Sequence, residues 1–395
     1  MRPSFVEQLP AMWRQSYDSV VEIRHDLHAH PELSFEEHRT TGVIRDRLMA
    51  LGWQLAACPT ETGAIATLRG GRPGRRVMVR ADIDGLPVAE ERTSSYRSVH
   101  DGVMHACGHD VHTAGLLGVA DLLAQRQADL AGEFTLLFQP AEESLGGARA
   151  MIGAGILEEH RVDVIIGAHV TSLAPLGVVA LRSGVAMSAA TALNVHVTGR
   201  GGHGAMASVE GNVVLALSAL APRLGEVVQG LSYEGTDCAC SAGVLRAGTA
   251  NNVVPRYALA RGTLRTFTPE QRRQSLARLA SLLEEIELAF HVSCRLELGE
   301  STPAVINNEG VTDRVRMSAR SVVGATRVVT IPPAAPSDDM AEFLSRVPGC
   351  YVFIGGALED GSSGVHHSPD FAVADDACRV YASVLATAAV ELAQS

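Results

Sequence analysis

The sequence predicts an α/β protein: a mostly parallel sheet flanked by helices, with a small ferredoxin-like α+β module inserted into it. Three observations lead there. Short runs that are apolar on both faces alternate with helical stretches between residues 63 and 167, a β-α-β-β-α-β order replaces that alternation in the middle, and the α/β pattern returns after about residue 300. At 395 residues the chain also exceeds the size at which one core usually stops growing, so two domains are expected. Their boundaries fall at 1–185 and 299–395 for the larger domain and 186–298 for the insertion.

In chain order, Ser34-Phe35-Glu36-Glu37 has the spacing of a capping box, and with Gly52 following Leu51 it predicts a helix between those signals. Residues 63–69 and 76–81 read as strands joined by the turn Gly70-Gly71-Arg72-Pro73-Gly74. A helix at 111–125, a strand at 134–138, a Gly/Ala-rich helix near 147–157 and a strand at 163–167 follow. The inserted module comprises a strand at 192–198, a helix at 209–228, strands at 237–247 and 256–266, a helix at 269–288 and a strand at 291–298. Its second helix opens well, since Thr268 can cap, Pro269 suits the first turn and Gln271 occupies the box position. A helix at 308–323, a buried strand at 351–355 and a helix at 375–392 complete the larger domain.

Composition excludes several classes. With 46% hydrophobic and 19% charged residues the chain is an ordinary globular one. A net charge of -11 without any Lys/Arg run argues against nucleic acid, because neutralising phosphates requires a clustered basic face. No apolar run is long enough to span a membrane, and the segment from Met1 to Glu7 lacks the pattern of a secretory signal. Seven scattered cysteines, an odd number, point to reduced thiols and a cytoplasmic location.

Four polar clusters follow predicted core strands: Asp82, Glu142-Glu143, His169 and His366-His367. Ligands of open α/β sheets bind outside the carboxyl ends of the strands, so these clusters are expected to converge on one rim. The run from Met104 to His112 adds His105, Cys107, His109, Asp110 and His112 just before a helix. A thiolate, imidazoles and carboxylates together form the ligand set of a first-row divalent ion. Singly, each would more often be a surface, core or helix-start residue; the set of four is what carries weight.

The segments Arg80-Ala81-Asp82-Ile83-Asp84-Gly85-Leu86-Pro87, His105-Ala106-Cys107-Gly108-His109-Asp110, Gln139-Pro140-Ala141-Glu142-Glu143, Gly167-Ala168-His169, Gly201-Gly202-His203-Gly204-Ala205 and His367-Ser368-Pro369 resemble the hippurate hydrolase and auxin-conjugate hydrolase branch of the metal-dependent aminoacylase and carboxypeptidase G superfamily. The resemblance runs from about Arg24 to the C-terminal helix. It implies a catalytic domain holding two divalent ions, zinc or manganese, or else cobalt or nickel, and an inserted lid that dimerises. Cys107 takes the bridging position, Glu143 and His367 complete one ion, and His109 and His169 the other. Glu142 matches the general base, and Asp82 becomes an acceptor that orients an imidazole.

By the same resemblance, His203, Asn252 and Arg265 contact the substrate carboxylate or the oxyanion, with His203 reaching the partner subunit's active site. His28 and His30 match no ligand position and are read as structural. Met206-Ala207-Ser208 stands where the family usually has a Pro-His pair after the lid histidine, and Asn212 where an Asp is common. The implied activity is hydrolysis of the amide bond of N-acyl or N-aroyl amino acids by a homodimer. A dipeptidase or aminobenzoyl-glutamate hydrolase is the enzymatic alternative, with a dipeptide-like substrate. A non-catalytic relative that only binds metal and ligand is the third reading, and Glu142 counts against it, since a binding protein has no use for a base.

Overall fold

A computed structural model describes residues 3–394. The chain divides into two compact units. One comprises Met1–Gly184, Ile306–Ile331 and Asp339–Ser395, the other Val185–Val305 with the short return segment Pro332–Asp338.

In chain order the elements that matter are α1 (Phe5–Ala29), α2 (His38–Ala50), β1 (Gln54–Leu55), β2 (Ala64–Arg69), β3 (Arg72–Asp82), α3 (His109–Ala124), β4 (Ala131–Gln139), α4 (Gly147–Gly153), β5 (Val164–Pro175) and β6 (Val179–Ala180). The second unit contributes β7 (Ala189–Thr198), α5 (Val213–Leu220), β8 (Ala239–Ala247), β9 (Tyr257–Thr266), α6 (Pro269–Phe290) and β10 (Ser293–Thr302). The first unit resumes with α7 (Glu309–Val323), β11 (Val328–Val329), β12 (Gly349–Ala357) and α8 (Asp376–Ala393).

The first unit is built on an eight-stranded sheet in the order β1-β2-β4-β3-β5-β12-β6-β11. Its central strands β4, β3, β5 and β12 are parallel. The two strands joined by the Gly70–Gly74 turn are not neighbours: β4 lies between them, antiparallel to β2 and parallel to β3. Parallel strands buried on both faces favour apolar residues at successive positions, which is why burial from Val77 to Ala81 and from Phe134 to Phe138 runs without alternation, with Arg80 and Thr135 as the polar exceptions. Helices α3 and α8 pack on each other and on β3, and both are buried along most of their length. An apolar all-round helix is the expected result of that position.

The second unit is a four-stranded antiparallel sheet in the order β8-β9-β7-β10. Leu193, Val195 and Val197 on β7 alternate inward to meet Leu279, Leu282, Leu283 and Ile286 of α6. This is the βαββαβ arrangement of the inserted module. Thr268 accepts from the Gln271 N–H, and the Gln271 side chain returns to the Thr268 N–H, closing the capping box.

Three local expectations fail for physical reasons. Ser34 does not cap a helix: its hydroxyl donates to Asp84 Oδ2 at 2.7 Å, and α2 begins only at His38. The box glutamate, Glu37, is instead buried and accepts from the Ala141 N–H at 2.8 Å and the Thr62 hydroxyl at 2.7 Å. The expected helix at 209–228 is α5 followed by a tighter 3-10 stretch, Ala221–Val228, where Pro222 withholds a backbone donor. The stretch at 147–157 breaks at Gly155, whose φ is +84°.

Candidate metal centre

Sheet register sets the site. Asp82, the last residue of β3, pairs with Gln139, the last of β4, and Arg80 pairs with Gly167 of β5. His169 is two residues beyond Gly167 and therefore level with Asp82. It lies inside β5 rather than after it, because β12 keeps pairing with that strand and sets Phe353 opposite His169.

Cys107 and His109 flank Gly108, which has φ +87°. A side chain at Gly108 would meet Val170 Cγ1 at 2.4 Å, so only glycine allows this turn. The Glu142-Glu143 corner is also strained, with Ala141 at φ +56°, and is fastened by Glu37 on one side and Asp84 on the other. Asp84 Oδ1 accepts from the Glu142 N–H at 3.2 Å and Oδ2 from the Glu143 N–H at 3.1 Å. His367 has φ +64°, and its N–H donates to Ala106 O at 2.8 Å, tying the last loop to the Cys107 loop. Backbone strain in such residues survives only where the surroundings enforce it, and it clusters at functional sites.

Two groups of donors share Cys107. In one, Cys107, His109 and Glu143 bring their ligand atoms within 4.8 Å of one another, and in the other Cys107, His169 and His366 do the same. His367 Nε2 stands 3.4 Å from Glu143 Oε1. All five residues expected as ligands thus lie in one cluster that His366 joins, although His109, expected beside His169, is grouped with Glu143.

The donor set fits divalent ions. His109 Nδ1 donates to Asp84 O at 2.9 Å and His169 Nδ1 to Val170 O at 2.6 Å, which leaves Nε2 of each as a lone pair. His109 Nε2 and Glu143 Oε1 are buried 3.8 Å apart, and neither has a well-aligned hydrogen-bond partner, Cys107 and His367 approaching them only loosely. Buried polar atoms left unmatched are costly, and a cation between them would satisfy both. Second ring nitrogens fixed on oxygen acceptors are the usual support for metal-binding imidazoles.

Electrostatics agree with a pocket made for cations. Burial pushes the Cys107 thiol up, but the charge of His169 and hydrogen bonds with His109, His169 and His366 outweigh it and hold the thiol well below its ordinary value. Burial opposes the charged form of His169, yet the thiolate lifts its pKa to about 9. Glu143 is pushed up to about 7 by burial and by the Cys107 charge, against the pull of His367. His367 rises to about 10 through hydrogen bonds with Cys107 and Glu143.

Around these donors lies a buried network. Asp82 accepts from Arg80 Nη1 at 2.7 Å and from His112 Nδ1 at 2.5 Å, and His112 Nε2 accepts from the Val170 N–H at 2.8 Å. The imidazole that Asp82 fixes is therefore that of His112, while His109 Nε2 stands 3.8 Å away. Burial would raise the Asp82 carboxyl, but the charges of His109, Arg80 and His112 hold it well below the usual range. Glu142 is buried, and its Oε1 accepts from the Asp339 N–H at 3.4 Å. His112 and His366 stood among the candidate donors without an assigned position, and Asp84 and Asp339 received no role from the sequence. The Asp-x-Asp spacing of 82 and 84 was the available signal for Asp84; Asp339 had none.

In the second unit, the two residues Gly202–His203 pair antiparallel with Val253–Val254, so His203 and Asn252 are neighbours, both exposed. Arg265 is elsewhere. It lies eight residues from Tyr257, the β9 residue that pairs with Thr198, and so roughly 26 Å along the strand from the end where the His203 loop leaves. Arg265 Nη1 donates to Ser337 Oγ at 2.7 Å. Asn212 caps α5, accepting from the Val214 and Leu215 N–H groups, a task an Asp performs equally well. His28 pairs with Asp110 at 3.0 Å and His30 Nδ1 donates to Asp26 O at 2.8 Å, so both serve the scaffold.

Residues 78–391 match the family model described as peptidase family M20/M25/M40. The chain is 35% identical over 358 residues to the N-acetyl-L-cysteine deacetylase of Bacillus subtilis, covering 91% of this chain and 84% of that one. It is 33% identical over 395 residues to thermostable carboxypeptidase 1 of Saccharolobus solfataricus, covering 98% of each. Among solved structures it resembles the YxeP protein of Bacillus subtilis, described as a dinuclear metal-binding peptidase, with a TM-score of 0.80, 29% identity, and coverage of 95% of this chain and 98% of that one.

Proposed function

This chain belongs to peptidase family M20/M25/M40 and is a metal-dependent amidohydrolase, and we propose that it cleaves the acyl or aroyl group from N-acylated amino acids. The observation behind this reading is the convergence of Cys107, His109, Glu143, His169 and His367 in one cluster, buried except at the exposed His367, with Glu142 on the same strained corner but directed by Asp339. The five residues would hold two divalent ions bridged by the Cys107 thiolate. When bound, such ions lower the pKa of water from 15.7 to about 7 and polarise a carbonyl oxygen. A thiolate and imidazoles favour zinc, cobalt or nickel, and the single carboxylate ligand leaves manganese competitive.

Glu142 serves as the general base, taking a proton from water and passing it to the leaving nitrogen, a role usually contributing about 10²–10⁴-fold. Two adjacent glutamates separate the tasks. The Glu143 N–H and the Glu142 N–H both rest on Asp84, and their side chains diverge, one into the thiolate-centred group and the other toward Asp339. His203 donates to the oxyanion, and Asn252 and Arg265 take the substrate carboxylate.

His203 and Asn252 lie at the opposite end of the inserted sheet from Arg265, which supports a homodimer in which a site draws Arg265 from one copy and His203 with Asn252 from the other. All seven cysteines are free thiols, in keeping with a reducing cytoplasm, and no helix of the described residues is long and apolar enough to cross a membrane. The deacetylase relative favours a small acyl group over a peptide, whereas the carboxypeptidase relative keeps a dipeptide-like substrate as the second reading. The deciding experiment is a kcat/KM panel of N-acetyl, N-benzoyl and dipeptide substrates with zinc, manganese, cobalt or nickel. Faster turnover of dipeptides than of every acyl amino acid would reverse the order of the two readings.

A further inference from the structure

We propose that His366, through Nδ1, is an additional ligand to the ion held by Cys107 and His169. The inference rests on the two-ion reading above and adds one donor to it.

Four observations carry it. Cys107 Sγ lies 3.4 Å from His169 Nε2 and 3.7 Å from His366 Nδ1. A tetrahedral ion with bonds of about 2.3 Å to sulfur and about 2.0–2.1 Å to nitrogen separates those atoms by about 3.6 Å, so both distances match one ion. The His169 and His366 rings meet edge to face with centroids 5.2 Å apart, and their donor atoms and Cys107 Sγ all lie within 4.8 Å of one another. His366 Nε2 is 3.3 Å from Thr171 Oγ1, a hydroxyl able to accept from Nε2–H and so to support the tautomer with its lone pair on Nδ1. Phe371 packs on the ring from behind, with centroids 4.9 Å apart.

The backbone explains how two successive histidines serve one thiolate. Neighbouring side chains in extended backbone point to opposite sides, but the left-handed φ of +64° at His367 folds the loop around Cys107. His366 then stands on the His169 side and His367 on the Glu143 side. Beside the shared thiolate, the ion next to His169 would therefore have a nitrogen-rich shell, and the ion next to Glu143 would keep the carboxylate. Soft and borderline donors favour zinc, cobalt or nickel over manganese, so the two positions differ in metal preference, with His366 sharpening the difference.

Equilibrium dialysis with zinc, and zinc against manganese in competition, tests the proposal on the full-length chain. The expected result is that His366→Ala still binds two ions but holds one of them at least about 10-fold more weakly, with a smaller zinc-over-manganese preference. Thr171→Val weakens the same ion to a lesser degree. Cobalt-substituted protein changes its visible absorption in His366→Ala, as loss of a nitrogen donor requires. His366 sits in a partly exposed loop, and unchanged far-UV circular dichroism and unfolding temperature in excess chelator confirm that the variant folds. Cys107→Ser separates the levels of the reading. If Cys107→Ser loses an ion while His366→Ala binds both as tightly as the parent, the His366 assignment alone is overturned. If Cys107→Ser also retains both ions, the two-ion pocket falls and the His366 assignment with it.

Discussion

Replacing Arg80 with methionine should destabilise the protein more than almost any other single change outside the apolar core. Arg80 is 1% exposed and its guanidinium donates to Gln139 Oε1 at 2.8 Å, Asp82 Oδ2 at 2.7 Å and Asp339 Oδ1 at 2.7 Å. Both carboxylates are fully buried. Removing one partner of a buried ion pair costs about 3–5 kcal/mol, because the other charge is left without compensation, and here two charges are left at once. Gln139 and the Ala148 N–H still support Asp339, and His112 still supports Asp82, so the loss should stay near that range rather than double it. At about 1–2 °C per kcal/mol for a chain of this length, unfolding should fall by roughly 4–9 °C. Arg80→Lys should recover less than half, since a single ammonium does not present three donors in one plane. The assay is thermal unfolding in excess chelator, which removes any contribution from bound ions. An Arg80→Met variant within about 1 kcal/mol of the parent would refute the view that this network holds the site together.

Three further outcomes are expected. Glu142→Gln keeps both ions and loses about 10²-fold or more in kcat, while Glu143→Gln loses an ion as well; metal analysis showing the reverse would exchange the two roles. His28 gives a pH signature away from the metal. Burial opposes its charge, but Asp110 and Glu90 raise its pKa from 6.5 to about 9, so its contribution is complete below pH 6.5 and is lost as pH rises through about 9. The gap corresponds to roughly 3 kcal/mol at most, and His28→Gln should flatten the fall in unfolding temperature between those pH values in chelator. Finally, His203→Ala and Glu142→Ala homodimers should each be nearly inactive, and mixing them under subunit exchange should restore part of the activity; inactive hybrids would confine His203 to its own chain.

Much of the α/β layout could be read from sequence because burial on both faces of a parallel strand leaves a continuous apolar run, as at Val77 to Val79 and Leu136 to Phe138. What escaped was order within the sheet. Nothing local distinguishes a tight Gly70–Gly74 turn between neighbours from the actual connection, in which β4 returns to separate β2 from β3. Glu37 illustrates a related blindness. Its spacing from Ser34 suits a capping box, yet a glutamate there can equally be drawn inward by Thr62 and Ala141, and only tertiary structure decides between the two.

The candidate metal ligands were legible as a set because a thiolate, imidazoles and carboxylates at several strand ends seldom coincide without a cation. Their support was not, and the reason is directional. Asp82 offered no sign of choosing His112 over His109, because both lie on the first turn of α3 and the choice depends on where the Val170 N–H points. His366 was hidden by its neighbour, since a pair of histidines reads as one ligand and one bystander unless the backbone between them turns left-handed. Substrate recognition has the same character on a larger scale. His203, Asn252 and Arg265 read as one binding set along the chain, but β9 separates Arg265 from the other two by most of a strand. The proposed acyl amino acid substrate is far shorter than that span, so the proposal that all three residues touch it also requires that two copies of the chain contribute to one site.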